Sequence, residues 1–188
     1  MFVILAGSGA AQTSDQDTRH SRVWVAAGGG STTVLGDCTD CAPGTHLHTG
    51  HTVVGGGFTL SERADIGGEV VWVPLHLATG DSVRSTLVTA AVQVRPWRTR
   101  GFFLKGSSGM AFLRNFVDVV EDVPAMSTSK AFTMGLGAGW EWRTAGRFGF
   151  EVFGTHHVVA VGDLAGRERR LENVVGNFWS VGGAVVIR

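Results

Sequence analysis

Two cysteines and three histidines lie close together near the start of the chain, and their types and spacing are those of a possible metal site. Two residues separate Cys38 from Cys41, and His46, His48 and His51 follow. Thiolates and imidazoles are ligands that Zn²⁺ and Cu⁺ favour. The alternative is a disulfide between the cysteines, which would remove both thiolates from any ligand set. We expect the disulfide, so the histidines are weak metal candidates and no cofactor is expected.

A second pair of histidines, His156 and His157, lies in an alternating segment, which predicts that they point to opposite faces of a strand. A histidine in such a place can act as a general base for lipid hydrolysis if a nucleophile lies within hydrogen-bond reach. No serine flanks either residue in this segment. We therefore interpret them as polar rim positions, and a lipid-modifying hydrolase stays an alternative.

Composition restricts the class of protein. The chain has 188 residues, 28 of them glycine, and 16 basic residues balance 16 acidic ones. A net charge of zero without a basic run argues against a nucleic-acid partner. The length suits one domain, and no apolar run is long enough for a transmembrane helix. A glycine-rich β protein is the class that fits.

The N-terminal region resembles an exported leader. Residues 1–11 are apolar and end in small residues, as the second half of a signal peptide does, although a basic start is missing. Residues 12–21 are polar, as a mature N-terminal tail would be. We expect a partial signal peptide, then this tail, then a single β-barrel domain over residues 22–188.

Alternation of apolar and polar residues marks the predicted strands. In residues 131–143, aromatic and aliphatic side chains occupy every second position, while glycine and charged residues occupy the others. The same pattern predicts eight strands: 22–30, 50–60, 66–78, 83–95, 101–114, 130–143, 147–161 and 174–187.

The predicted connections differ in length at the two ends of the strands. Residues 61–65, 96–100 and 144–146 form tight turns, whereas 31–49 and 115–129 form long loops. Residues 162–173 and 79–82 connect the remaining strands on the loop side. Such alternation predicts an all-β, eight-stranded antiparallel up-and-down transmembrane β-barrel.

The choice between a membrane barrel and a soluble lipocalin-like barrel with an apolar ligand depends on the face opposite the apolar stripe. That face carries glycines and ionisable residues, which suit a narrow lumen filled by paired charges better than a solvated surface. The predicted lumen charge network comprises Glu69, Arg95, Lys105, Glu141, Arg143 and Glu151. The predicted aromatic girdle at the short turns comprises Trp97, Phe102, Trp140, Trp142 and Phe148, with Trp24 and Trp179 as further candidates.

With these features the chain resembles the small outer-membrane β-barrels of Gram-negative bacteria, such as the OmpA-type membrane domain, over residues 22–187. The segment Pro96–Gly106 is similar to the turn before strand five of such proteins. The resemblance implies an outer-membrane location with the long loops extracellular. We also expect a structural or surface-interaction role without enzymatic activity, and a lumen plugged by side chains, because eight strands enclose a space just wide enough for side chains to fill. Membrane lipid is the expected partner, and the arginines of residues 166–172 add lipopolysaccharide phosphates as a possible one.

Overall fold

The computed structural model describes residues 23–37, 46–76, 82–97, 101–116, 127–144, 146–165 and 170–188. The predicted signal peptide, the polar tail and the disulfide between Cys38 and Cys41 lie outside these residues. No helix in the described ranges is long and apolar enough to span a membrane.

Eight antiparallel strands close into one barrel, in which each strand pairs with its neighbours in sequence and the last pairs with the first. This confirms the predicted eight-stranded up-and-down barrel fold. The strands are β1 (Val23–Asp37), β2 (His46–Ser61), β3 (Ala64–His76), β4 (Ser82–Val94), β5 (Phe102–Phe116), β6 (Ser127–Arg143), β7 (Phe148–Ala165) and β8 (Arg170–Ile187).

All strands except β3 extend further toward the loop side than predicted. β1 continues to Asp37 and β2 begins at His46, so most of the predicted loop 31–49 is strand. Thr33, in the middle of that segment, is paired with His48 on one side and Trp179 on the other. This segment lacks a clear apolar alternation, but both neighbouring strands supply ladder partners for it. The predicted loops 115–129 and 162–173 shorten for the same reason.

The two faces of β6 separate as the alternation predicts. Phe132, Met134 and Leu136 point out of the barrel and are exposed, whereas Thr133 and Glu141 point inward and are buried. Since apolar side chains face outward, the outer wall differs from that of a soluble barrel.

A hydrophobic core that was not predicted from the sequence fills much of the lumen, and its β3 residues lie toward the loop side. The apolar segment of β3 carries Val71, Val73 and Leu75 on its inner face. Because this segment is apolar on both faces, alternation gives no signal there. The buried cluster comprises Val34, Val53, Val71, Val73, Leu75, Leu87, Phe103, Ala111, Ala131, Phe153, Val159, Phe178 and Ala184.

Candidate functional site

A cluster of ion pairs lies in the lumen at the end where the short turns join the strands. Arg95 directly follows β4, and its Nη2 donates to Asp65 Oδ2 at 2.7 Å and to Glu141 Oε2 at 2.8 Å. All three side chains are nearly inaccessible. One guanidinium therefore links β3 and β6 across the barrel.

Two further arginines reach the same carboxylates. Arg188 Nη2 lies 2.9 Å from Asp65 Oδ2, and its Nε lies 3.1 Å from Glu141 Oε1. Arg143 Nε also lies 3.1 Å from Glu141 Oε1, but the Arg143 side chain is 46% exposed. These five residues, Asp65, Arg95, Glu141, Arg143 and Arg188, are the turn-side charge cluster.

Asp65 and Arg188 were not among the predicted lumen residues. Asp65 was assigned to the turn 61–65, but the turn occupies only residues 62 and 63, so Asp65 lies in β3 and points inward. Its odd-numbered position matches that of Glu69 on the same strand, which is the signal that was available. The inward position of Arg188 follows from alternation along β8, where Ala184 and Val186 are also buried.

A second group of charges lies further into the lumen. Lys105 Nζ donates to both carboxylate oxygens of Glu69, at 2.9 and 3.1 Å, and lies 5.2 Å from the centre of the Phe153 ring. Glu151 is buried as well, yet no cation of the described residues lies within ion-pair distance of it. The predicted lumen residues are thus divided between two sites instead of forming one network.

Hydroxyl and imidazole groups form polar contacts inside the barrel next to these charges. Ser107 Oγ and His157 Nε2 are 3.3 Å apart, and Gly135 lies between them on the intervening strand. Thr32 Oγ1 is 2.9 Å from His51 Nδ1. The sequence analysis found no serine near His157 because Ser107 comes from β5, and only the strand register brings the two together.

The three histidines considered above as weak metal candidates do not converge on one point. His46 and His48 are exposed on the outer face of β2, whereas His51 is buried on its inner face, so their side chains diverge. In the described part of the chain, no three potential metal-ligating side chains converge. His156 points outward, where it stacks on Trp179 at 4.0 Å and its Nε2 lies 3.1 Å from Asn177 Oδ1.

The predicted girdle residues lie on the outer wall near the short turns. Trp97 and Phe102 pack at 5.5 Å, and Trp142 packs against Phe150 at 5.9 Å. Trp97, Trp142 and Phe148 are each more than half exposed. These aromatic rings form a level near the turn-side end of the barrel.

Trp24, considered for this girdle, points into the lumen instead and is only 8% exposed. Its ring occupies space that Gly55 and Gly67 leave open on the neighbouring strands, where a Cβ would meet it. Trp24 is therefore not a girdle residue. Its inward position could not be recognised from β1 alone, because the glycines that accommodate its ring are distant in sequence. Trp179 does point outward, toward the loop side.

Solved structures share this architecture. Neisserial surface protein A superposes with a TM-score of 0.60 at 10% identity, covering 89% of this chain and 97% of that one. Ail, the attachment invasion locus protein of Yersinia pestis, superposes with a TM-score of 0.58 at 10% identity in its complex with the heparin analogue sucrose octasulfate, covering 88% of this chain and 99% of that one. No protein-family model matches the sequence, and no curated protein matches it.

Proposed function

We propose that this chain is an integral protein of the bacterial outer membrane, with a structural or surface-interaction role and with its long loops on the extracellular side. The observation that carries the proposal is the outer wall, on which large apolar side chains are exposed around the whole barrel. The most exposed are Leu136 at 75%, Val181 at 70%, Leu60 at 66%, and Phe58, Met134 and Phe148 at 59% each. An apolar surface this extensive is unfavourable in water and favourable in lipid.

The height of this apolar wall agrees with a bilayer. On β6 the outward apolar positions run from Trp142 to Phe132, ten residues apart, and Lys130 follows. Ten residues span about 33 Å along a strand, or about 25 Å along the membrane normal at a tilt near 40°. That is roughly the apolar band of outer-membrane barrels. Exposed Trp72, Phe132 and Trp179 supply aromatic residues toward the loop-side end.

The lumen supports a plugged barrel without a diffusion pore. Near the turns, Arg95 and Arg188 bridge opposite walls through shared carboxylates. Further toward the loop side, Val73, Leu87 and Val159 are at most 1% exposed. Eight strands enclose a space that side chains can fill, and these two layers of buried side chains agree with a plugged lumen.

A surface-interaction role agrees with the similar structures, one of which was solved with a bound heparin analogue. The enzymatic alternative has one structural observation in its favour, the contact between Ser107 and His157. However, both residues face the lumen, away from the lipid that a membrane-embedded hydrolase would have to reach. We therefore favour a protein without enzymatic activity.

Cell fractionation combined with gel mobility tests the proposal. The protein should sediment with the outer membrane, need detergent for extraction, and migrate differently on SDS gels before and after boiling, because a closed barrel satisfies its own backbone hydrogen bonds. Recovery in the soluble fraction, with identical mobility of both samples, would favour the soluble ligand carrier instead. Lipid A with an altered acyl pattern in expressing cells would favour the hydrolase.

A further inference from the structure

The outward charged side chains described in the strands are basic, and they lie at one height of the barrel. The acidic residues in the strands whose side chains are described are Asp65, Glu69, Glu141 and Glu151, and all of them face the lumen. Among the outward side chains described within the strands, the only lysines and arginines are Arg84, Arg114 and Lys130, each exposed. They occupy three adjacent strands, β4, β5 and β6, at the loop-side end of each.

The strand register brings these three cations together. Arg84 lies directly opposite Arg114, and Lys130 lies opposite Phe112, diagonal to Arg114. Opposed residues of an antiparallel pair are about 5 Å apart at Cα, and diagonal ones about 7–8 Å. The three side chains therefore place positive charge at neighbouring positions of the outer wall, at one height.

The surface below the cations is apolar. Moving toward the turns, β4 presents Val88, β5 presents Met110, and β6 presents Phe132 and Met134, all exposed by 40% or more. A ligand that contacts both the cations and the apolar surface must combine an anionic group with hydrocarbon chains. A soluble anion would bind the cations without contacting the apolar surface.

From this arrangement we infer that Arg84, Arg114 and Lys130 form a headgroup site for a phosphorylated lipid of the loop-side leaflet, with its acyl chains on the apolar wall beneath. Arginine and lysine both bind phosphate through charge-assisted hydrogen bonds, and arginine does so with two parallel donors. The inference rests on the proposed membrane location and adds to it the identity of a bound lipid class and the orientation of the barrel.

The test uses purified full-length barrel in neutral detergent, titrated with bisphosphorylated lipid A and with enzymatically dephosphorylated lipid A. Native mass spectrometry counts the bound lipid. The variant R114Q/K130Q removes two site cations, and R63Q/R147Q removes two exposed cations at the turn side as the matched control. We expect the wild type to prefer the phosphorylated lipid about tenfold, R114Q/K130Q to lose that preference, and R63Q/R147Q to retain it.

Three outcomes would overturn the inference. The first is no preference in the wild type, and the second is equal loss in both double variants, which would indicate bulk charge alone. The third is displacement of the lipid by millimolar inorganic phosphate or sucrose octasulfate, which would indicate a site for soluble anions. Each sample is first checked for mobility shifts on SDS gels. A wild type without the shift refutes the membrane barrel itself, whereas a folded barrel without lipid preference refutes only the headgroup site.

Discussion

Glu141 is the residue whose removal should damage the turn-side charge cluster most. Its carboxylate forms ion pairs with three arginines. Its oxygens lie 2.8 Å from Arg95 Nη2 and 3.1 Å from both Arg143 Nε and Arg188 Nε. In the variant Glu141→Gln, Asp65 alone is left to neutralise the guanidiniums of Arg95 and Arg188. Arg95 is 5% exposed, so it cannot recover the lost interaction from water.

Removing one partner of a buried ion pair typically costs about 3–5 kcal/mol. We expect E141Q to lower the free energy of unfolding by about 3 kcal/mol, because Arg188 retains Asp65 and glutamine retains an acceptor oxygen. The matched control is Arg143→Gln, which breaks an ion pair to the same carboxylate. Since the Arg143 side chain is 46% exposed, its loss should cost about 0.5 kcal/mol or less.

Reversible urea unfolding from lipid vesicles, followed by tryptophan fluorescence, measures both values. The slope of the unfolding free energy against urea should stay unchanged, so the shift of the midpoint reports stability. A cost below about 1 kcal/mol for E141Q, or equal costs for E141Q and R143Q, would show that the cluster does not depend on this carboxylate.

Three further predictions concern the packing, the lumen and the loop cysteines. Gly135→Ala should separate Ser107 from His157 and cost about 1–2 kcal/mol in the same unfolding assay, because a Cβ there meets both side chains; Gly106→Ala should be neutral, since nothing lies within 4 Å of its Cβ position. Planar bilayers containing the purified protein should show no reproducible conductance steps, and stable steps would refute the plugged lumen. Cys38 and Cys41 should resist alkylation in exported protein until a reductant is added, whereas two thiols alkylated without reductant would contradict the disulfide.

The sequence predicted the features of the fold that depend on local pattern. The alternation in β6 was enough to place Leu136 outside and Glu141 inside, because side chains of a strand alternate with a period of two. The number of strands and their antiparallel order followed from repeating this pattern between short turns. Strand ends were less predictable: polar residues such as Thr33 suit a loop or a paired strand equally well.

The contacts inside the lumen depend on register between strands that are distant in sequence. Ser107 meets His157 across 50 positions, and Arg188 meets Asp65 across 123. The alternation of apolar and polar residues predicts whether a side chain points into or out of the barrel. It does not predict the height of that side chain along the barrel axis. The inward position of Trp24 also depends on residues distant in sequence, because glycines on β2 and β3 leave the space for its ring.

Whether the apolar wall faces lipid is tested most directly by placing a charge on it at two heights. Leu136 points outward six residues from both Trp142 and Lys130, so it lies near the middle of the proposed membrane span, whereas Leu60 points outward beside a short turn. In lipid vesicles, Leu136→Arg should lower the free energy of unfolding by about 2–4 kcal/mol and Leu60→Arg by about 1 kcal/mol or less. Equal and small effects of the two substitutions, or a barrel that L136R renders soluble and folded without detergent, would contradict the membrane location.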